Sequence, residues 1–427
     1  MKYWAFYIPL LIVVGCSERE RTNPLDPANP YTGGSPSNFQ ALANDDQVTL
    51  TWSPVDVDNL VAYHVYRATG DSALTLRQDV PANSTFYWED NLNYDQAYSY
   101  TVQAITTTSA STFSDTDTVI PGPYNFWIAD AYSGVVTRLS YDGAHVLNSV
   151  LLNYPSAIIN SADRLSFWTT DYYDRAVYVI DKEFDNIYYF LTEGSPLDLT
   201  VDVNNGHYYI LQASPAAVLK YDSQTNLLAS HDLPVETLWD GELIYNRRSA
   251  RLWFVQTATY GLRTLYYSET RGNGLDWKPT VQLSAPLSLQ ADNLTGGCWV
   301  ATDSGVARVD TAGGVQYYRP GIAINDLSIH PPSGQCYFTA HDYTNDEDLI
   351  GIVNGESGQV EVLQHGQLDR PGRIQVLPAV SNPGYLVYHT NNDRRGGLLK
   401  RYDGAGDVIG MMDDFSPAIN LAVEQSP

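Results

Sequence analysis

Seven short aromatic β-runs punctuate the later part of this sequence, and the residues just beyond each run are the ones equipped for chemistry. The runs align on Phe126-Trp127, Phe167-Trp168, Tyr208-Tyr209, Leu252-Trp253, Cys298-Trp299, Cys336-Tyr337 and Tyr385-Leu386. Three positions past the second member of each pair stand Asp130, Asp171, Gln212, Gln256, Thr302, Ala340 and His389. The loops that follow add Tyr132, Tyr172, Tyr173, Asp174, Tyr260, Asp303, His341, Asp342, Tyr343, Asn391 and Asn392. Carboxylates, amides and imidazoles interleaved with aromatic faces suit a glycan, a peptide or a small polar ligand held in a concavity. Asp130, Tyr132, Asp171, Tyr172, Gln212, Gln256, Asp303, His341, His389 and Asn391 are therefore the candidate ligand-binding residues. The competing explanation is local: Asp and Asn also make turns wherever strands end.

Catalytic and metal signatures are missing from the sequence. It contains no HExxH, no paired CxxC and no GxSxG elbow. The eight histidines, among them His64, His207, His231, His330 and His365, are scattered over different units. Asn345-Asp-Glu-Asp348 offers oxygen donors but lacks the spaced Asp and Gly of a calcium loop. We assign no catalytic residue, no metal ligand and no cofactor. Cys298 and Cys336 occupy equivalent places in adjacent units, where neighbouring sheets would hold them too far apart for a disulfide. Two buried thiols are the expectation, although an oxidising compartment leaves a bridge open.

What must position these residues is a repeat. Successive aromatic pairs lie 38 to 49 residues apart. Most are followed by a third strand ending near Asp, as in Val218-Leu-Lys-Tyr-Asp222, then a turn and a fourth strand. A four-stranded antiparallel unit cannot bury both faces alone, and stacking units around an axis solves that problem. Innermost strands are expected near Ser156, Leu197, Leu243, Leu287, Leu327, Ile374 and Ile419. Phe415-Ser-Pro-Ala-Ile-Asn-Leu-Ala-Val423 is similar to Tyr154–Asn160 and Ser195–Asp202, whereas no such phrase precedes Phe126. The C-terminal strand is thus predicted to complete the first unit and close a seven-bladed β-propeller over residues 124–424. The widest spacing points to an insertion around His341 to Asp348, which leaves six or eight blades open. The repeats resemble the NHL, gluconolactonase-like and quinoprotein-like group of propellers, and no Trp-Asp dipeptide ends a third strand. Propeller lactonases hold a divalent cation with Glu, Asn and Asp from inner positions, but their motifs do not map residue by residue onto this chain.

Residues 35–121 alternate polar and apolar in short runs, as in Gln47–Trp52, Val61–Arg67, Thr85–Glu89 and Tyr98–Ala104. Trp52, Tyr63, Tyr66 and the phrase Leu92…Tyr98-x-Tyr100-x-Val102-x-Ala104 resemble a fibronectin type III β-sandwich. The resemblance implies that Tyr98 is structural and that the unit is a spacer. Upstream, Met1-Lys-Tyr-Trp precedes an apolar run from Ala5 to Val14, too short to span a bilayer as a helix and suited to an export signal. Val13-Val-Gly-Cys16 resembles the lipobox of bacterial lipoproteins, which implies a signal over residues 1–16 and lipidation of Cys16. Several acyl chains would anchor the protein durably, and Ser17 implies the outer membrane by resemblance to a sorting rule. Residues 17–34, charged and punctuated by Pro, read as a tether.

The fold class expected is all-β. With 49 Asp and Glu against 24 Lys and Arg, the formal charge is −25. That balance argues against a nucleic-acid partner, which needs a basic face, and against polybasic contact with anionic lipid. The expected function is a lipid-anchored, extracytoplasmic binding or scaffold protein of a bacterial envelope. One propeller mouth would present its site to an envelope protein or a carbohydrate. The alternative is a propeller hydrolase or lyase that acts on a small polar substrate with a divalent cation.

Overall fold

The computed structural model describes residues 23–29, 34–235, 238–258, 260–270, 274–319, 321–366, 368–378, 383–390, 396–416 and 419–424. Cys16 and Asn391, the lipidation and ligand-binding candidates, lie outside the described residues. Every regular element described is a β-strand. The chain divides into two compact units, the second beginning in the main at Val119.

The first unit contains two antiparallel sheets. One holds Leu60–Thr69 between Thr75–Pro81 and Tyr98–Thr106, with Asp117–Val119 beyond; the other holds Gln40–Asn44, Gln47–Thr51 and Phe86–Glu89. Alternation sends Val48, Leu50, Tyr63, Val65, Tyr100 and Val102 inward, each fully buried. Trp52 meets Tyr63 edge-on at 5.3 Å, and the Tyr63 hydroxyl accepts the Val55 N–H at 2.8 Å. Tyr98 is buried with the Arg67 guanidinium over its ring.

In the second unit, the described residues between 126 and 423 include seven four-stranded antiparallel sheets in chain order, which we number one to seven. Sheets two to seven each use four consecutive strands, beginning at Pro155, Pro196, Glu242, Ser288, Ala323 and Pro371. Sheet one takes its innermost strand from the other end of the chain: Ile419–Val423 pairs with Phe126–Asp130, with Ile419 opposite Asp130 and Ala422 opposite Trp127. The second strand of each sheet is buried on both faces because a neighbour stacks on each side, hence the unbroken hydrophobic runs. Outer strands such as Val146–Leu151 and Ile187–Leu191 are largely exposed.

A hydrophobic cluster joins every consecutive pair of sheets. Trp127 stacks on Phe167 at 4.0 Å between sheets one and two, and Trp168 on Tyr208 at 3.6 Å between two and three. The cluster of Leu377, Leu386, Tyr388 and Leu399 with Phe126, Ile128, Leu139 and Ile419 brings sheet seven back against sheet one. That return closes a ring, and the architecture is a β-propeller. Aspartates at the ends of third strands have a local role: Asp222, Asp310 and Asp403 each accept two backbone N–H groups of the hairpin that follows.

One expectation changes and one, the pair of buried thiols, agrees with the structure. The stretch from His341 to Asp348 is no insertion but the end of a long hairpin, in which His341 pairs with Asp348 across strands Cys336–Asp342 and Glu347–Val353. Cys298 and Cys336 are free, buried thiols, and burial holds both well above the usual thiol range.

Candidate functional site

Antiparallel pairing puts the start of each inner strand beside the end of the second strand. Pro155 faces Asp171, Pro196 faces Gln212, and Pro371 faces His389. The sequence alignment therefore does gather its candidates at one mouth of the ring. The expected orientation toward a ligand is what the structure corrects for several of them. Asp130, Asp171, Gln212 and His389 are almost fully buried, and their polar atoms serve the chain's own loops. Asp171 accepts N–H groups from Asn153 and Tyr154, both at 2.8 Å, and from Asp174 at 3.0 Å. Asp130 accepts from Ser416 and from the Ser133 N–H. Gln212 accepts from the Gly194 N–H and donates to the Pro215 carbonyl. His389 lies between the Leu368 carbonyl and the Tyr402 hydroxyl. A strand-end polar group must be satisfied when the crossing loop buries it, and these side chains fasten that loop down.

Among the loop candidates Tyr132, Tyr173, Tyr260 and Tyr343 face outward, while Tyr172 and His341 are half-buried. Trp239, which the alignment did not single out, stands with the outward group, and the five rings Tyr132, Tyr173, Trp239, Tyr260 and Tyr343 are 64 to 83% exposed. All five lie on second-to-third-strand loops or on connections entering an inner strand, which places them on the same mouth. Tyr132, Tyr172 and Tyr173 gather around Tyr154 with ring centroids 4.9 to 6.2 Å from it. His341 meets Tyr343 edge-on and forms a 2.7 Å contact with Asp348. Asp303 is exposed and accepts from Ser284 at 3.0 Å. Gln256 borders a groove of about 440 Å³ with Trp239, Asp240, Tyr260 and Arg263.

Inside the ring lies a set of residues that the alignment missed. A cavity of about 400 Å³ is lined by the inner strands of all seven sheets. One register tier along these strands carries Asp198 opposite Leu211, Glu242 opposite Val255, Ser288 opposite Ala301 and Asp326 opposite Thr339. Arg373, on sheet seven, precedes Ile374 in the same stretch. The carboxylates stitch neighbouring inner strands. Asp198 accepts the Leu243 N–H at 2.7 Å, Glu242 the Leu289 N–H at 3.2 Å, and Asp326 the Ile374 N–H at 2.9 Å.

Arg373 crosses the bore. One terminal nitrogen lies 3.5 Å from Glu242 of sheet four and 3.4 Å from Asp326 of sheet six. Its side chain remains 37% exposed, open to the cavities it lines. Burial raises the carboxyl of Asp198 to about 7, against two backbone N–H bonds and Arg373. Burial likewise raises Glu242 to about 8, opposed by Arg373 and reinforced by Asp198 and Asp326. Burial works against the Arg373 charge, but Asp326, Glu242 and Asp240 outweigh it and its proton is held more firmly than usual. Among the described residues no group of three His, Cys, Asp or Glu side chains is placed to hold a metal ion. A signal for this tier was present in the sequence. The charged residue stands directly before the apolar residue that marks the inner strand, as in Glu242-Leu243, Asp326-Leu327 and Arg373-Ile374.

No protein-family model matches this sequence, and no curated protein matches it. Solved structures do. A functionally unknown protein from Desulfotomaculum acetoxidans DSM 771 is 12% identical, covering 70% of this chain and 99% of its own, with a TM-score of 0.53. A proposed 6-phosphogluconolactonase from Bacteroides uniformis ATCC 8492 is 12% identical, covering 70% of this chain and 100% of its own, with a TM-score of 0.51. A quinoprotein alcohol dehydrogenase-like protein from Bacteroides thetaiotaomicron VPI-5482 is 10% identical over 90% of this chain and 94% of its own, at a TM-score of 0.48. The likeness is one of fold alone, and the fold is the β-propeller described above.

Proposed function

We propose that this chain is a lipid-anchored cell-envelope binding or scaffold protein, joined through Cys16 to the outer membrane. In this reading a fibronectin type III spacer precedes a seven-bladed propeller, whose aromatic mouth binds an envelope protein or a carbohydrate. The observation that carries it is the group of exposed rings, Tyr132, Tyr173, Trp239, Tyr260 and Tyr343, on the mouth that opens into a polar cavity. Large aromatic faces left in water cost free energy, and Tyr and Trp are the side chains that anchor interfaces and stack on ligands. The lining below supplies Asp240, Thr257, Asn325, Arg373 and Thr390, a mixture fit for polar recognition.

Glycan arrays and envelope pull-downs with the protein lacking residues 1–16 test this, with Trp239→Ala and Tyr260→Ala alongside. Capture that both substitutions abolish is the expected result. Capture indifferent to them would move the binding surface elsewhere. The second reading, a hydrolase or lyase, draws on Asp198 and Glu242, two cavity carboxyls raised toward neutrality as proton carriers require. It gains if a small polar ester or glycoside is turned over by the wild type and spared by Glu242→Gln.

A further inference from the structure

One groove at the mouth is built from sheet four alone. Trp239 and Tyr260, 80% and 83% exposed, border it together with Asp240, Gln256, Thr257 and Arg263. The connection entering Glu242–Asn246 supplies Trp239 and Asp240, the end of Arg251–Val255 leads into Gln256 and Thr257, and Arg263 lies on Leu262–Glu269. Two backbone bonds to the neighbouring connection fix the loop: the Ala258 N–H donates to the Pro286 carbonyl at 3.0 Å, and the Ala285 N–H to the Gly261 carbonyl at 2.8 Å. The groove continues into the mouth pocket of about 440 Å³, which shares Asp240 and Thr257 with it and adds Asn325 and Thr390.

The groove holds one acid and one base, so it carries no excess of charge. Asp240 accepts the Gly241 N–H at 2.8 Å and helps Arg373 keep its proton. Arg263 donates from Nη1 to the Leu262 carbonyl at 3.0 Å and forms no ion pair among the described residues. An ion of either sign would meet one attraction and one repulsion there, and would lose its water for little return. A hydroxyl both donates and accepts. A polyol can therefore give to the carboxylate and accept from the guanidinium, in charge-assisted bonds with no charge of its own to desolvate. The exposed rings call for an apolar face as well, and the C–H face of a pyranose packs on an aromatic ring as other apolar surface does. Groove and pocket together have the scale of a site for a small polar ligand of a few rings. We infer that the mouth binds an uncharged oligosaccharide, with one pyranose ring against Trp239 and Tyr260, its hydroxyls on Asp240 and Arg263, and the next ring toward Asn325 and Thr390. This rests on the reading of the mouth as a binding surface and selects carbohydrate from the two ligand classes proposed for it.

The test uses the full chain in micelles of a detergent that carries no sugar, titrated by saturation-transfer NMR. The probes are the neutral tetrasaccharides of cellulose, starch, xylan, mannan and chitin. Tetragalacturonate, the de-N-acetylated chitin tetramer and glycylglycine supply an anion, a cation and a zwitterion. At least one neutral tetrasaccharide should bind, about tenfold or more tightly than any of the three charged probes. Trp239→Ala and Tyr260→Ala should each weaken it about tenfold, and Asp240→Asn and Arg263→Gln should each weaken it severalfold. Tyr189→Ala, a control at a ring 59% exposed on the outer strand Ile187–Leu191, should leave it unchanged. Binding of none of the neutral tetrasaccharides overturns the inference, as does a charged probe that binds as tightly. Sugar binding that needs the rings but ignores both Asp240→Asn and Arg263→Gln overturns the seat assigned to the hydroxyls. An envelope protein captured in a Trp239-dependent way, with no sugar bound, would remove this inference and keep the binding mouth. Capture and sugar binding that both ignore Trp239 and Tyr260 would remove both.

Discussion

Glu424 is the residue on which closure of the ring can be tested. It directly follows the strand Ile419–Val423, and its carboxylate accepts from Arg138 Nε at 3.0 Å and Nη2 at 3.2 Å, and from Trp127 Nε1 at 3.4 Å. Lys182 of sheet two adds a contact at 3.2 Å. Arg138 is 3% exposed and Glu424 12%, so this is a largely buried, bidentate pair. Removing one half of such a pair costs about 3–5 kcal/mol, mostly because the other charge is left uncompensated. Glu183, 65% exposed and 3.7 Å from Arg138 Nη1, offers only a screened replacement. We therefore expect Glu424→Ala to cost about 3 kcal/mol, concentrated in the closing strand.

The assay is native-state hydrogen exchange resolved along the sequence, since a chain of two units has no single unfolding free energy. The opening constant of Ile419–Val423 should rise roughly a hundredfold while the middle sheets keep their protection. Arg138→Met with Glu424→Leu should recover much of the loss, because the pair's worth lies in each charge satisfying the other. A change below about 0.5 kcal/mol in closing-strand exchange, or a loss spread evenly over all seven sheets, would refute the reasoning.

Three further outcomes follow from the same geometry. Asp198 and Glu242 keep their protons in the folded chain to about 7 and about 8, while the unfolded chain releases them near 4. Stability of the second unit should thus fall as pH climbs between those limits; Asp198→Asn and Glu242→Gln should flatten that slope in hydrogen exchange of the inner strands, and an unchanged slope would contradict the burial argument. His389 is depressed to about 4, first by burial and then by Lys400, so the unfolded chain takes up a proton that the folded chain refuses. Lowering the pH from about 6.5 to about 4 should cost roughly 3 kcal/mol through this residue, a component that His389→Gln removes from the pH profile. Asp171→Ala leaves three part-buried N–H groups without their acceptor and should cost roughly 1–3 kcal/mol, with any mouth affinity changed only as far as the Tyr154 loop moves. Loss of affinity without loss of thermal stability would restore Asp171 to the ligand.

By itself the sequence determined the repeat and its closure. The recurrence of Trp127, Trp168, Tyr209, Trp253, Trp299 and Tyr337 encodes second strands, because a strand covered on both faces must be apolar at successive positions. The phrase ending at Val423 could be matched to the strand absent before Phe126, because inner strands share a pattern that needs no distant information. Tertiary structure decided what each polar residue at the mouth is for. Asp171 and Tyr173 are near neighbours in sequence and equally fit for a ligand on paper, yet one is roofed over by the loop entering the next inner strand and the other stands in solvent. The bore tier was beyond the alignment for a related reason. Arg373 and Glu242 are separated by 131 residues, and only closing the ring brings sheets four and seven face to face across an axis that no local pattern describes. Burial and opposition across that axis, rather than residue type, raise the carboxyls of Asp198 and Glu242.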